Sequence, residues 1–340
     1  MRLQPIYDIA EICALKGIEQ AVLCPGSRCA PLISAFTNHP KVKTHTFSDE
    51  RSAAFIANGM ALATNNPVAL VCTSGSAAYN FAPAVAEAYY QQIPVVVLTA
   101  DRPKEWIDQL DGQTIQQQNI FGNHVKKYFE LPQDYEHADA LWFINRTINE
   151  AINLANQIPK GPVHINVPLR EPLYPSQGEN IKFSDSVRII DQPTEEKLLS
   201  EETLDTLKTS LSTFNKVLIV GGQHTLDTEL ATLLDKFSKQ HHIPVVADVI
   251  SNLHLLSNGV SHTDSMLGQS KADVQKALQP ELLITFGKSI LSKNLKLFLR
   301  KYKPTAHWHI QHAGVVADTY QSLTTHLGVS PKVFFQQLTE

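Results

Sequence analysis

The sequence of 340 residues predicts two α/β domains in tandem, each a doubly wound, mostly parallel sheet covered by helices on both faces. Three observations carry this. Runs such as 67–73 (PVALVCT) and 94–99 (PVVVLT) are apolar without alternation, the pattern of strands buried on both faces. Stretches of helical period separate such runs, so strand and helix alternate. The rhythm breaks over 170–195, where Pro172, Pro175, Gly178 and Pro193 stand among few large apolar residues, and then restarts. The reading is a first domain over 1–175, a linker over 176–194 and a smaller second domain over 195–340.

Taken in order, residues 4–16 put Ile6, Ile9, Ala10 and Cys13 on one helical face and stop at Gly17. Strands are expected at 21–24, 44–47, 67–73, 94–99 and 161–167. Helices are expected at 29–38, 50–64 and 138–156, with another opened by Thr73-Ser74-Gly75-Ser76 and running through Ala88. A polar stretch with Gln109, Gln113, Gln116, Gln117 and Gln118 follows the fourth strand. In the second domain, strands are expected at 216–220, 243–247, 282–286 and 306–310. Its helices fall near 196–212, 226–240, 271–278 and 291–302.

Composition excludes several classes. A formal charge of −4 predicts no nucleic-acid or anionic-membrane partner. No apolar run reaches the roughly 18 residues of a membrane span, and the start lacks a signal peptide's apolar core. Cys13, Cys24, Cys29 and Cys72 form no Cys-x-x-Cys pair, so reduced, mostly buried thiols in a cytoplasmic protein are expected, without a zinc site. Gly287-Lys288-Ser289 follows a strand, but Leu282 stands where a P-loop needs its first glycine. Gly221-Gly222 reads as a tight strand-to-helix turn. His241 and His242 are adjacent and would point apart on a helix.

Ligands in parallel α/β sheets bind outside the carboxyl ends of the strands. The chemistry-bearing residues lie there: Pro25-Gly26-Ser27-Arg28, Asp49-Glu50-Arg51-Ser52, Thr73-Ser74-Gly75-Ser76-Ala77-Ala78-Tyr79-Asn80 and Thr99-Ala100-Asp101-Arg102-Pro103, followed by Gly112-Gln113-Thr114-Ile115. Arg28 suits an anionic substrate, because its planar fork matches a carboxylate. Glu50, ahead of an apolar helix, could be desolvated and carry a proton. Each cluster alone also reads as ordinary structure: Pro-Gly-Ser as a turn, Ser48 or Asp49 as a helix cap.

The order and spacing of these loops resemble the thiamine-diphosphate-dependent enzymes. Pro-Gly-Ser-Arg, Asp-Glu-Arg-Ser-Ala-Ala-Phe and Ala-Asp-Arg-Pro are similar to the menaquinone-biosynthesis branch, strongly over 20–130 and more weakly beyond. The resemblance implies a pyrimidine-binding domain followed by a central domain. It implies that Glu50 shares a proton with N1′ of the aminopyrimidine, with Ser74, Gly75 and Asn80 lining the cofactor crevice. It implies that Ser27, Arg28, Arg102, Gln113 and, weakly, Lys293 bind substrate. The implied reaction is decarboxylation of 2-oxoglutarate and addition of the succinyl unit to isochorismate by a homodimer or homotetramer.

The family's magnesium- and diphosphate-binding motif, Gly-Asp-Gly or similar with a later asparagine, does not occur in this sequence. The expectation is therefore the first two domains of a longer enzyme, inactive by themselves, with Mg2+ held elsewhere. Two other readings stand beside it: a different 2-oxoacid decarboxylase or carboligase of the same superfamily, and a non-catalytic ligand-binding module.

Overall fold

The computed structural model describes residues 3–175 and 180–339. The chain divides into two compact units, Met1–Pro193 and Thr194–Glu340. Each contains one six-stranded sheet in which every strand pair is parallel.

In the first unit the strands are β1 (Gln20–Leu23), β2 (Lys43–Thr46), β3 (Val68–Cys72), β4 (Val95–Asp101), β5 (Tyr128–Glu130) and β6 (Val163–Pro168). They lie in the order β2-β1-β3-β4-β6-β5. Alternate residues feed opposite cores: Ala21 and Leu23 face one side, Val22 and Cys24 the other. The first core takes side chains from α1 (Gln4–Leu15), α2 (Ala30–Asn38) and α6 (Ala138–Asn156). The second takes them from α3 (Glu50–Thr64), α4 (Ser76–Asn80) and α5 (Ala82–Gln91). Burial on both faces is why these strands read as continuous apolar runs.

The second unit repeats the plan. Its helices are α7 (Glu201–Thr213), α8 (Thr228–His241), α9 (Thr263–Gln269), α10 (Ala272–Ala277), α11 (Lys293–Lys301) and α12 (Pro331–Thr339). Its strands are β7 (Val217–Gly221), β8 (Val245–Ala247), β9 (Gly259–Val260), β10 (Leu282–Phe286), β11 (Ala306–Ile310) and β12 (Thr325–Leu327), ordered β12-β11-β10-β7-β8-β9. One core joins α7, α8 and α12, the other α9 and α11. A buried polar group crosses this sheet. Thr285 Oγ1 lies 2.8 Å from both His307 Nε2 and His309 Nδ1.

Some elements depart from the sequence reading. The helix expected from Ser76 to Ala88 is two helices, α4 and α5, meeting at Phe81. Pro83, in the first turn of α5, lacks the N–H that would continue α4. Short β5, β9 and β12 and helices α9 and α12 are additions to that reading. The stretch 180–193 clusters with the first unit. Its Ile181, Phe183, Val187 and Ile189 pack against that unit's core, and Asp8 accepts hydrogen bonds from Ser184 N at 2.9 Å and Ser184 Oγ at 2.7 Å. The part of the expected linker at 176–179 lies outside the described residues. Among the described residues no helix is long and apolar enough to cross a membrane.

Candidate active site at the strand ends of the first unit

β2, β1, β3 and β4 are neighbours and parallel, so the four loops at their carboxyl ends emerge along one sheet edge. Glycines let two of these loops pack closely. A Cβ on Gly26 would stand 2.6 Å from Thr73 Cβ. Gly75 has φ +84°, a left-handed conformation that glycine adopts without strain, and a Cβ there would meet the Gln113 carbonyl oxygen at 3.1 Å.

Gln117, fully buried, ties the glutamine-rich loop to this edge. Its Oε1 accepts from Gly75 N at 2.8 Å, and its Nε2 donates to Ala100 O at 3.2 Å and Asn166 Oδ1 at 2.9 Å. Asn166 Nδ2 donates to Asp101 Oδ2 at 2.9 Å, and Thr99 Oγ1 donates to Asn166 Oδ1 at 2.9 Å while lying 2.7 Å from His164 Nε2. Asp101 Oδ1 accepts from Arg102 N at 2.8 Å. Burial raises the pKa of the Asp101 carboxyl, and burial pushes the His164 imidazole down to about 3. A polar network thus runs from the buried sheet to the backbone of Arg102.

Arg102 holds the loops together from above. Its Nη1 donates to Ser74 Oγ at 2.7 Å and to Gln113 O at 3.0 Å, and its Nε donates to Asp111 Oδ2 at 2.5 Å. Arg28 Nη1 donates to Leu169 O at 3.0 Å, and its Nη2 lies 3.6 Å from Glu171. Arg28 Nε is buried with no hydrogen-bond partner among the described residues. Burial, and next the Arg102 charge, lower the Arg28 pKa, so two guanidinium groups share this edge.

Glu50 opens α3. Asp49 is the cap, accepting from Ser52 N at 2.7 Å, which leaves the neighbouring Glu50 free of capping duty. The half-buried Glu50 side chain makes no hydrogen bond or ion pair among the described residues. Its charge acts on the buried thiols of the first and third strand ends. Burial first, with the Glu50 charge adding, pushes Cys24 up to about 12 and raises Cys72 as well. Burial likewise takes Cys29 up to about 11. All four cysteines are free and buried.

The structure therefore brings Ser74, Gly75, Arg102 and Gln113 into direct contact, with Arg28 beside them and Glu50 on the same edge. Gln113 is exposed, and its contacts here are made by its backbone. Ser27 is exposed in the first loop. Asn80 is exposed at the end of α4 and makes no side-chain hydrogen bond among the described residues. Lys293 belongs to the other unit, exposed on the first turn of α11 next to its cap Ser292. Sequence reasoning assigns no role to Gln117, Asn166, Asp111 or Glu171. The cluster of glutamines is the only signal for Gln117, and partners 42 and 49 residues away cannot be inferred from it.

A partnerless, half-buried carboxylate suits the protonated ring nitrogen of an aminopyrimidine. Magnesium fits less well. Among the described residues no three His, Cys, Asp or Glu side chains cluster so as to hold a metal ion.

Comparison with known proteins follows the same division. Residues 7–126 match the family described as thiamine pyrophosphate enzyme, N-terminal TPP binding domain, and residues 187–338 match the middle domain of thiamine pyrophosphate enzymes. The chain is 44% identical over 337 residues to a 2-succinyl-5-enolpyruvyl-6-hydroxy-3-cyclohexene-1-carboxylate synthase of Cytophaga hutchinsonii, covering 99% of this chain and 59% of the relative. It is 40% identical to the synthase of that name from Porphyromonas gingivalis, covering 97% of this chain and 56% of the relative. With the Flavobacterium psychrophilum synthase it shares 44%, covering 97% of this chain and 58% of the relative. The chain thus spans less than two thirds of the length of these relatives. Two successive domain matches on two parallel α/β units show that the chain belongs to the thiamine pyrophosphate enzyme family.

Proposed function

We propose that this chain supplies the aminopyrimidine side of the active site in a thiamine-diphosphate-dependent synthase. The enzyme decarboxylates 2-oxoglutarate and adds the succinyl unit to isochorismate, and it works in the cytoplasm as a homodimer or homotetramer. The observation that carries the reading is the pairing, on one sheet edge, of a partnerless Glu50 carboxylate with the guanidinium groups of Arg28 and Arg102. The names of the relatives support it, and four buried, unpaired thiols suit a reducing compartment.

In this reading Glu50 holds the aminopyrimidine by a shared proton. The bound cofactor supplies the electron sink for decarboxylation and carbon–carbon bond formation. Arg28 and Arg102 bind and orient carboxylates, and their charge offsets the cost of gathering anionic substrates in a partly desolvated crevice. Ser74 and the Gln113 carbonyl hold Arg102 in place, while Gly75 lets the Gln113 backbone close over the crevice. Ser27 and Gln113 stand on the same loops as further substrate-binding groups, and Asn80, at the end of α4, as a cofactor-binding one. Magnesium and the diphosphate are assigned to no residue among those described.

Glu50→Gln in the intact enzyme tests the reading. Loss of the shared proton should reduce turnover about 10²–10⁴-fold without lowering the melting temperature. Near-normal turnover would sink the assignment.

A further inference from the structure

Arg102 has little hydrogen-bonding capacity left. Nη1 is engaged twice, by Ser74 Oγ and Gln113 O, and Nε is engaged by Asp111 Oδ2 at 2.5 Å. Nη2 makes no hydrogen bond among the described residues. A carboxylate takes an arginine through two N–H groups side by side. The fork made by Nη1 and Nη2 opens only if Nη1 gives up one of its bonds to Ser74 or Gln113. The fork made by Nε and Nη2 is half held by Asp111. Asp111 does not complete that fork itself, because its Oδ1 accepts from Gly112 N at 3.1 Å.

We propose that Asp111 is an internal stand-in for a substrate carboxylate, seated on Arg102 Nε until an anionic substrate displaces it and moves its loop outward. The proposal rests on the anionic-substrate reading above and adds to it the residue that sets the threshold for entry.

The loop is suited to leaving. The Asp111 side chain is 41% exposed, whereas that of Arg102 is 12% exposed, so the arginine belongs to the edge and the aspartate to the cover. Leu110 is fully exposed and contributes no packing. Asp108 and Leu110 have positive φ, 62° and 58°, which concentrates backbone strain in the segment that must move. Ties to the rest of the unit flank it, Lys104 to Glu130 and Glu105 to Arg170 before it, the Gln113 carbonyl to Arg102 and the buried Gln117 after it.

Charge balance points the same way. Arg28 pairs with Glu171 and Arg102 with Asp111, and the buried Asp101 carboxyl lies near both guanidinium groups. If Asp111 swung out alone, Arg102 would lose its ion-pair partner next to a second cation. If an incoming carboxylate replaces it, the charge is unchanged and a second hydrogen bond to the fork is gained. A ligand with one weakly seated carboxylate gains little over Asp111. A polyanion, able to engage Arg28 as well, gains more.

Succinate, a dicarboxylate without a reactive carbonyl, is the probe. It is titrated into the full chain by calorimetry, with the fluorescence of Trp106, in the same loop, read in parallel and assigned by a Trp106→Phe control. Asp111→Asn should bind succinate about two- to fivefold tighter than the wild type, the release expected from a partly exposed ion pair. Trp106 emission in ligand-free Asp111→Asn should already shift toward that of the succinate-saturated wild type. Asp111→Ser should behave alike, and melting curves verify that each variant is folded. Arg102→Gln should weaken binding. Unchanged or weaker binding by both Asp111 variants, with Arg102→Gln also weakened, would overturn the stand-in alone. Binding unaffected by Arg102→Gln, or detectable in no variant, would overturn the anion-site reading together with it.

Discussion

Gly26 lies so close to Thr73 that a Cβ on the glycine would stand 2.7 Å from the threonine Cγ2. The contact fastens the loop carrying Arg28 to the loop carrying Ser74. Gly26→Ala should therefore cost about 1–3 kcal/mol, the usual penalty of overpacking, read as a lower urea midpoint. Gly59, inside α3 with nothing within 4 Å of the place a Cβ would take, is the control. Gly59→Ala should raise stability by about 0.5–1 kcal/mol.

Gln117 is the second mechanical test. Gln117→Ala leaves Gly75 N and Asn166 Oδ1 with fewer partners in a buried place. It should cost about 1–3 kcal/mol per group left unsatisfied. Hydrogen exchange should quicken at Gly75 more than at α1. Unchanged protection at Gly75 would show that the loop is held by other contacts.

The buried histidines set a pH dependence. Burial lowers His164 to about 3, and burial together with the His309 charge lowers His307 to about 4, from the ordinary histidine value of 6.5. Burial also lowers His309. Below pH 6.5 the unfolded chain takes up protons that the folded chain refuses. Stability should therefore be level above about 6.5 and fall as pH drops from there toward about 4, by up to about 1.4 kcal/mol per pH unit for each histidine. Urea midpoints between pH 7.5 and 5.5 check this, and a flat profile would contradict it.

Under the proposed function, Arg28→Ala or Arg102→Ala in the intact enzyme should raise KM for 2-oxoglutarate or isochorismate. A charged hydrogen bond lost from a desolvated site costs about 1.5–3 kcal/mol, or roughly 10- to 150-fold. Unchanged kinetics for both substrates in both variants would make these arginines structural.

The parts of the fold that are legible in the sequence are those whose signal is local. β3 and β4 are continuous apolar runs because both faces are buried, and α3 shows its cap at Asp49. β5 is illegible because it is three residues, Tyr128–Glu130, added beyond β6 out of chain order. The break at Phe81 depends on one proline, Pro83, which also suits the start of a helix. At the site, Arg28, Ser74 and Arg102 are readable because strand ends converge wherever the strands are parallel. Asp111 and Asn166 are not, since what matters in them is a partner chosen by tertiary structure.

The strand orders have a consequence for solubility. The outermost strands are β2 and β5 in one sheet and β12 and β9 in the other, of four, three, three and two residues. The longest strand, β4 with seven residues, is internal. A sheet rim offers unpaired backbone groups on which another chain can template itself into an aggregate. Rims this short, with Lys43 on β2 and Glu130 on β5, offer an intruding strand few hydrogen bonds and place charge in its path. The apolar runs that could seed fibres are kept in the interior of both sheets.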